Sequence, residues 1–65
     1  MYMLVNQPTS GPTKEAFEIL DEVFGTNEFT DGQAVNALAV GLEVDNSQAQ
    51  NMFNALKRQE AIGEV

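Results

Sequence analysis

The sequence predicts one small domain that is mainly α-helical with a small β element, and three observations support this prediction. Three segments place apolar residues at helical spacing, and each is flanked by residues typical of helix boundaries. Short apolar segments at both ends of the sequence are suited to β-strands. A length of 65 residues leaves room for a single domain.

The composition is typical of a globular protein and argues against an enzyme. The hydrophobic fraction is 43% and the charged fraction 20%, which is unlike a disordered chain. Cys and His are both absent, so the sequence offers no thiolate, no disulfide and no imidazole base or ligand. Ser10 and Ser47 consequently have no activating partner. We expect a non-enzymatic protein with no cofactor and no metal.

Hydropathy gives an expectation about location. No apolar run approaches the ~18–20 residues that a membrane-spanning helix needs. The opening segment 1–5 is apolar, but it has no basic flank and is too short for a signal peptide. We therefore expect a cytoplasmic protein with no membrane partner.

The first helix is predicted over residues 12–24, after a strand at 1–5 and a turn-rich linker at 6–11. Pro12 suits the first turn of a helix, and Gly25 suits a C-cap. The predicted inward residues are Ala16, Phe17, Ile19, Leu20, Val23 and Phe24. The opposite side carries four acids, Glu15, Glu18, Asp21 and Glu22.

The second helix is predicted over residues 31–40. Thr30 and Gln33 have the spacing of a capping box, and Phe29 stands where a hydrophobic staple would be. Gly41 is expected to end the helix. The predicted inward residues are Ala34, Val35, Ala37 and Leu38.

The third helix is predicted over residues 45–59 and has the clearest amphipathic pattern. Asp45 is suited to the N-cap, because its charge complements the positive end of the helix dipole. The inward residues Ala49, Met52, Phe53 and Leu56 follow i, i+3, i+4, i+7 spacing. Residues 61–65 are predicted to form a closing strand.

The segment 38–62 resembles the winged helix-turn-helix family of MarR-type regulators. The residues that carry the resemblance are Leu38, Ala39, Leu42, Val44, Asp45, Ser47, Ala49, Phe53, Leu56 and Ile62. The resemblance implies a three-helix helix-turn-helix core in a single winged-helix-like domain over residues 1–65. It also implies that the helix at 45–59 is the recognition helix, which in this family enters the major groove of DNA.

Two departures from the family pattern change what is expected of the wing. Glu60 stands where the family often has a glycine, and the sequence after it has room for only one wing strand. We therefore expect the N-terminal strand to pair with residues 61–65, beside a short strand at 28–30. The fold would be winged-helix-like with a truncated wing and without the usual DNA-contacting hairpin.

Charge is distributed unevenly along the sequence. The formal net charge is −7, from ten acids and three basic residues, which opposes indiscriminate attraction to DNA. Between Asn46 and Gln59, however, there is no acid, and Lys57 and Arg58 are both basic. Ordinary DNA binders neutralise roughly 6–10 phosphates, so we expect weak binding without dimerisation, and a homodimer is an open possibility.

Three interpretations of the function stay open, and the outer face of the third helix can meet DNA, a protein or only water. It can contact double-stranded DNA as part of transcription regulation, because amide and guanidinium groups suit base edges and phosphates. The candidate nucleic-acid-binding residues are Ser47, Gln50, Asn51, Asn54, Lys57 and Arg58. The alternative is an acidic adaptor whose Glu15, Glu18 and Glu22 dock a basic protein partner. In the third, the polar residues are an ordinary solvated helix face.

Overall fold

The computed structural model describes all 65 residues and confirms the predicted fold class. The elements in chain order are β1 (Tyr2–Leu4), α1 (Pro12–Phe24), α2 (Asp31–Leu42), α3 (Asn46–Arg58) and β2 (Ile62–Glu64). The three helices surround one core, and the strands form a two-stranded sheet along one side of it. The fold is therefore mainly helical and winged-helix-like, with a short β element in place of a full wing.

The sheet joins the two ends of the chain. Strand β1 runs antiparallel to β2, with Leu4 opposite Ile62. On its other side, Tyr2 exchanges two backbone hydrogen bonds with Phe29, at 2.8 and 2.9 Å. These contacts confirm the predicted pairing of the N-terminal strand with the C-terminal segment. The predicted strand at 28–30 is reduced to a single bridge at Phe29. Each strand has three residues, two fewer than predicted.

Aromatic side chains attach the sheet to the helices. Phe29 and Phe53 are fully buried, and their ring centroids lie 6.5 Å apart. The Tyr2 ring meets Phe53 edge-on at 5.3 Å, and Phe24 stacks on Phe29 at 4.7 Å. Edge-to-face and offset pairs of this kind add to the free energy of simple area burial. The sheet and α3 are thus held to the same aromatic cluster.

Helix α2 does not end at Gly41, as the sequence analysis expected, but continues to Leu42. The chain then turns at Glu43, which has a left-handed backbone with φ of 56°. Gly41 has a different role: a Cβ built on it would lie 2.6 Å from Cγ2 of Ile19. The missing side chain therefore lets α1 approach α2 closely. Helix α2 itself ends two residues beyond the predicted position.

The predicted inward position of Val23 on α1 is also wrong. Val23 is 58% exposed, whereas Ala16 and Leu20 on the same helix are fully buried. At 100° per residue, Val23 lies at the edge of the buried stripe that these residues define. The apolar face of α1 is wider than the core can cover, so part of it remains at the surface.

Candidate nucleic-acid interface

Helix α3 is fixed in place at its start and along its inner side. The carboxylate Oδ1 of Asp45 accepts a hydrogen bond from the backbone N–H of Gln48 at 2.8 Å, which confirms the predicted N-cap. A three-residue turn, 43–45, separates α3 from α2. Ala49 and Phe53 are fully buried. The opposite side of α3 is consequently held outward on a rigid support.

Three of the six candidate DNA-contacting residues project freely into solvent. Ser47, Asn51 and Arg58 are all exposed, in the directions that helical spacing predicts. They span the helix from its first turn to its last residue. The hydroxyl, amide and guanidinium groups of this set can each reach an external partner.

The side chains of Gln50 and Asn54 are held to each other. The Gln50 amide nitrogen donates to the Asn54 side-chain oxygen at 3.1 Å, and both residues are half-buried. This i, i+4 bond uses one donor and one acceptor of the pair. The Gln50 oxygen and the Asn54 amide nitrogen stay available, so the two residues can present one acceptor and one donor in a fixed arrangement.

Lys57 is occupied by aromatic rings. Its Nζ lies 5.4 Å from the centroid of Tyr2 and 5.0 Å from that of Phe53, within the range of cation–π attraction. The sequence analysis counted Lys57 among the candidate DNA-contacting residues but did not find these partners. Lys57 is half-buried, so Arg58 is the one exposed cation of α3.

A cavity of about 420 Å³ borders the outer face of α3. It lies between the start of α1, the turn after α2 and α3, and its apolar wall includes Leu42, Val44 and Met52. Gln48 and Asn51 form part of its lining. Because the cavity is assembled from three separate segments, no local sequence pattern could have indicated it.

The alternative site on α1 has a geometry that the acids alone did not predict. Glu15, Glu18 and Glu22 are all exposed. Glu22 also lines a groove of about 590 Å³ between α1 and α2. Val23 and Val40 belong to the same lining. The sequence analysis missed this groove because it assigned Val23 to the core and ended α2 at Gly41.

The structure has neither a cluster of metal-ligating side chains nor a helix that could span a membrane. Nowhere do three or more carboxylates converge as metal ligands would. None of the helices combines the length and hydropathy that crossing a membrane requires.

Comparison with known proteins adds no family to this description. No protein family model matches the chain, no curated protein matches it, and no solved structure matches it. The resemblance to winged helix-turn-helix regulators therefore depends on the residues of segment 38–62 that were named above.

Proposed function

We propose that this chain is a small, non-enzymatic regulatory module that contacts double-stranded DNA through α3. One observation carries the proposal: α3 is the helix whose outer face has no acid, on a chain with a formal net charge of −7. It also follows α2 after a three-residue turn, as a recognition helix does. The outer face of α3, which such a domain would present to DNA, thus carries no acid, and the exposed acids Glu43 and Asp45 lie just before its first turn.

The exposed side chains of α3 have suitable chemistry for DNA. An Asn side chain can pair with the N6 and N7 positions of adenine, and an Arg side chain with O6 and N7 of guanine. Among the candidate DNA-contacting residues, Asn51 and Arg58 are the exposed ones of these types. Ser47, in the first turn, can donate to a phosphate oxygen. The bonded pair of Gln50 and Asn54 lies between these ends.

Charge limits the strength of this contact. Each phosphate neutralised by Lys or Arg contributes about 0.9 to the slope of log affinity against log salt. Lys57 and Arg58 therefore give a slope of at most about −2 for one protomer, far below that of ordinary DNA binders. A homodimer would double the number of contacts, which is why we propose transcription regulation by a dimer.

An NMR titration with labelled protein tests the proposal. Random-sequence and candidate operator duplexes are added at about 50 mM salt, where electrostatic screening is weak. We expect amide shifts over residues 46–58, and smaller shifts in Asn51→Ala and Arg58→Ala variants. Asn36→Ala and Lys14→Ala serve as matched controls, since both residues are exposed on other helices. The absence of shifts with every duplex would contradict DNA contact by α3.

A further inference from the structure

We propose that the groove between α1 and α2 is a docking site for a basic amphipathic helix of another protein. This surface lies on helices other than α3, and the inference does not depend on whether α3 contacts DNA. Three properties of the groove lead to it: an apolar floor, an acidic rim on one side, and a shape set by two helices.

The groove exposes apolar side chains from both helices. Its lining includes Ile19, Phe24 and Ala37, which are partly buried against the core. Val23 and Val40, from the two facing helices, are 58% and 72% exposed. Apolar side chains brought together in a groove provide positions where the anchor residues of a docked helix can bind.

The rim of the groove on α1 is acidic. Glu15 and Glu22 are seven residues apart, two helical turns, so they share the side of α1 that carries Ile19. Glu18 lies between them along the helix. The α2 rim is neutral, since its polar lining residues are Gln33 and Asn36. No Lys or Arg lines the groove, so its charge favours a cationic occupant.

A second copy of this chain does not supply that occupant. At the groove, a second copy would have to bring a cationic surface to the acidic rim, and the chain has three basic residues against ten acids. Of the three basic residues, Lys57 is held over the rings of Tyr2 and Phe53, and Lys14 lies on α1 itself. Arg58 alone is left to face the rim of another copy. A different protein with several Lys or Arg residues provides better complementarity.

The geometry favours a helix as the docked element. The groove is bounded by helices of 13 and 12 residues. A third helix can lay a ridge of side chains into such a groove, at an interaxial distance of about 8–10 Å. Apolar anchors at i, i+3, i+4 and i+7 would then meet Val23, Val40 and the floor, with cations beside the α1 rim.

A model peptide tests the apolar part of this proposal. The probe is a synthetic amphipathic helix of Leu and Lys, about 14 residues long, and a Leu/Glu peptide of the same pattern is its reference. NMR shifts should fall on the groove residues and be absent with the Leu/Glu peptide. Val40→Gln should weaken binding about tenfold, as loss of an interface anchor does. Val65→Gln, at a valine 61% exposed elsewhere, should leave binding unchanged.

A second pair of variants tests the charged rim. The triple variant Glu15→Gln, Glu18→Gln, Glu22→Gln removes three charges at the groove. The control Glu28→Gln, Glu60→Gln, Glu64→Gln removes three exposed charges that lie outside α1. We expect the rim variant to bind the Leu/Lys peptide several-fold more weakly than the control variant. Equal weakening, or shifts spread over α3 and the sheet, would show non-specific attraction and overturn the proposal. Self-association in sedimentation experiments that Val40→Gln abolishes would overturn it as well, because the groove would then be occupied by a second copy.

Discussion

Helices α1 and α3 are equal in length but carry opposite charge. Each has 13 residues and buries one side against the same core. Helix α1 has four acids and one lysine, whereas α3 has no acid and two basic residues. Folding requires only the inner stripes of the two helices, so their outer faces are free to differ. This separation of charge is the one that the two proposed contacts require, with DNA at α3 and with a basic helix beside α1.

The two helices also differ in how their N-termini are capped. Asp45 caps α3 with a side-chain hydrogen bond, while Gly11 at the start of α1 makes none. Helix α1 begins instead with Pro12, whose fixed φ suits the first turn. The N-terminal turn of α3 consequently has a side-chain cap that the first turn of α1 lacks. In the proposed contact with DNA, this cap would hold the turn that carries Ser47 and leads to Asn51.

The largest expected effect tests which helix contributes more to the core. Phe53→Ala on α3 should destabilise the fold by about 3–5 kcal/mol, because it leaves a cavity and removes ring contacts with Tyr2 and Phe29. Phe17→Ala on α1 should cost less, since Phe17 is 7% exposed and lies at the margin of the core. Urea unfolding followed by circular dichroism measures both. A larger loss in Phe17→Ala would reverse this ranking.

The second prediction concerns the close approach of α1 to α2. Gly41→Ala should destabilise the protein by about 1–3 kcal/mol through overpacking against Ile19, although alanine favours helix. In a protein that already carries Ile19→Ala, the cost of Gly41→Ala should be smaller, and a double-mutant cycle measures this difference. Gly32→Ala on the same helix is the control, because nothing lies within 4 Å of its new Cβ. It should be neutral or stabilising, and a loss equal to that of Gly41→Ala would exclude a local clash.

Local signals in the sequence predicted much of the fold. The capping box at Thr30 and Gln33 and the N-cap at Asp45 use side chains within three residues of their partners. Such contacts depend on spacing alone, so they are visible before the fold is known. Pairing of β1 with the C-terminal segment was also predicted, and Leu4 lies opposite Ile62 as that pairing requires.

Contacts between distant segments were not predictable in this way. The cations of α3 were visible, but the position of Lys57 over Tyr2 depends on a residue 55 positions away. Gly41 was ambiguous, since glycine is typical both of helix ends and of close helix approach. The groove between α1 and α2 was missed for two reasons. Gly41 was assigned to the end of α2, and Val23 was assigned to the core, although its exposure depends on how far α2 covers α1. Periodicity gives the direction in which a side chain points, but it does not give the degree to which the side chain is buried.

The third prediction tests the difference between the two helix starts. Asp45→Ala should destabilise the protein by about 1 kcal/mol, because the N–H of Gln48 loses its acceptor. Asp21→Ala, at an exposed position within α1, should change stability by less than about 0.5 kcal/mol. Hydrogen exchange should additionally rise at the first turn of α3 in the Asp45 variant. An unchanged exchange rate there would show that the cap does not order this turn.

The smallest expected effects concern the C-terminal ends of the two helices, where the predicted signs are opposite. Helix α1 has Glu22 in its last turn and no basic residue there, whereas α3 ends with Lys57 and Arg58. The negative end of the helix dipole favours cations, and Glu18 and Glu22 repel each other at i, i+4 spacing. Glu22→Gln should therefore stabilise the protein, and Arg58→Gln should destabilise it, each by about 0.3–1 kcal/mol.

Urea midpoints at about 50 mM and about 1 M salt measure these two changes, and both should shrink as salt screens the charges. Glu64→Gln on β2 provides the control, since Glu64 lies in a strand, where the net dipole is small. If Glu22→Gln does stabilise the fold, the acid at that position opposes stability and its presence has to be explained by the outer surface. If it does not, the charge difference between α1 and α3 has no cost to folding, and the acidic rim loses that argument for a binding role.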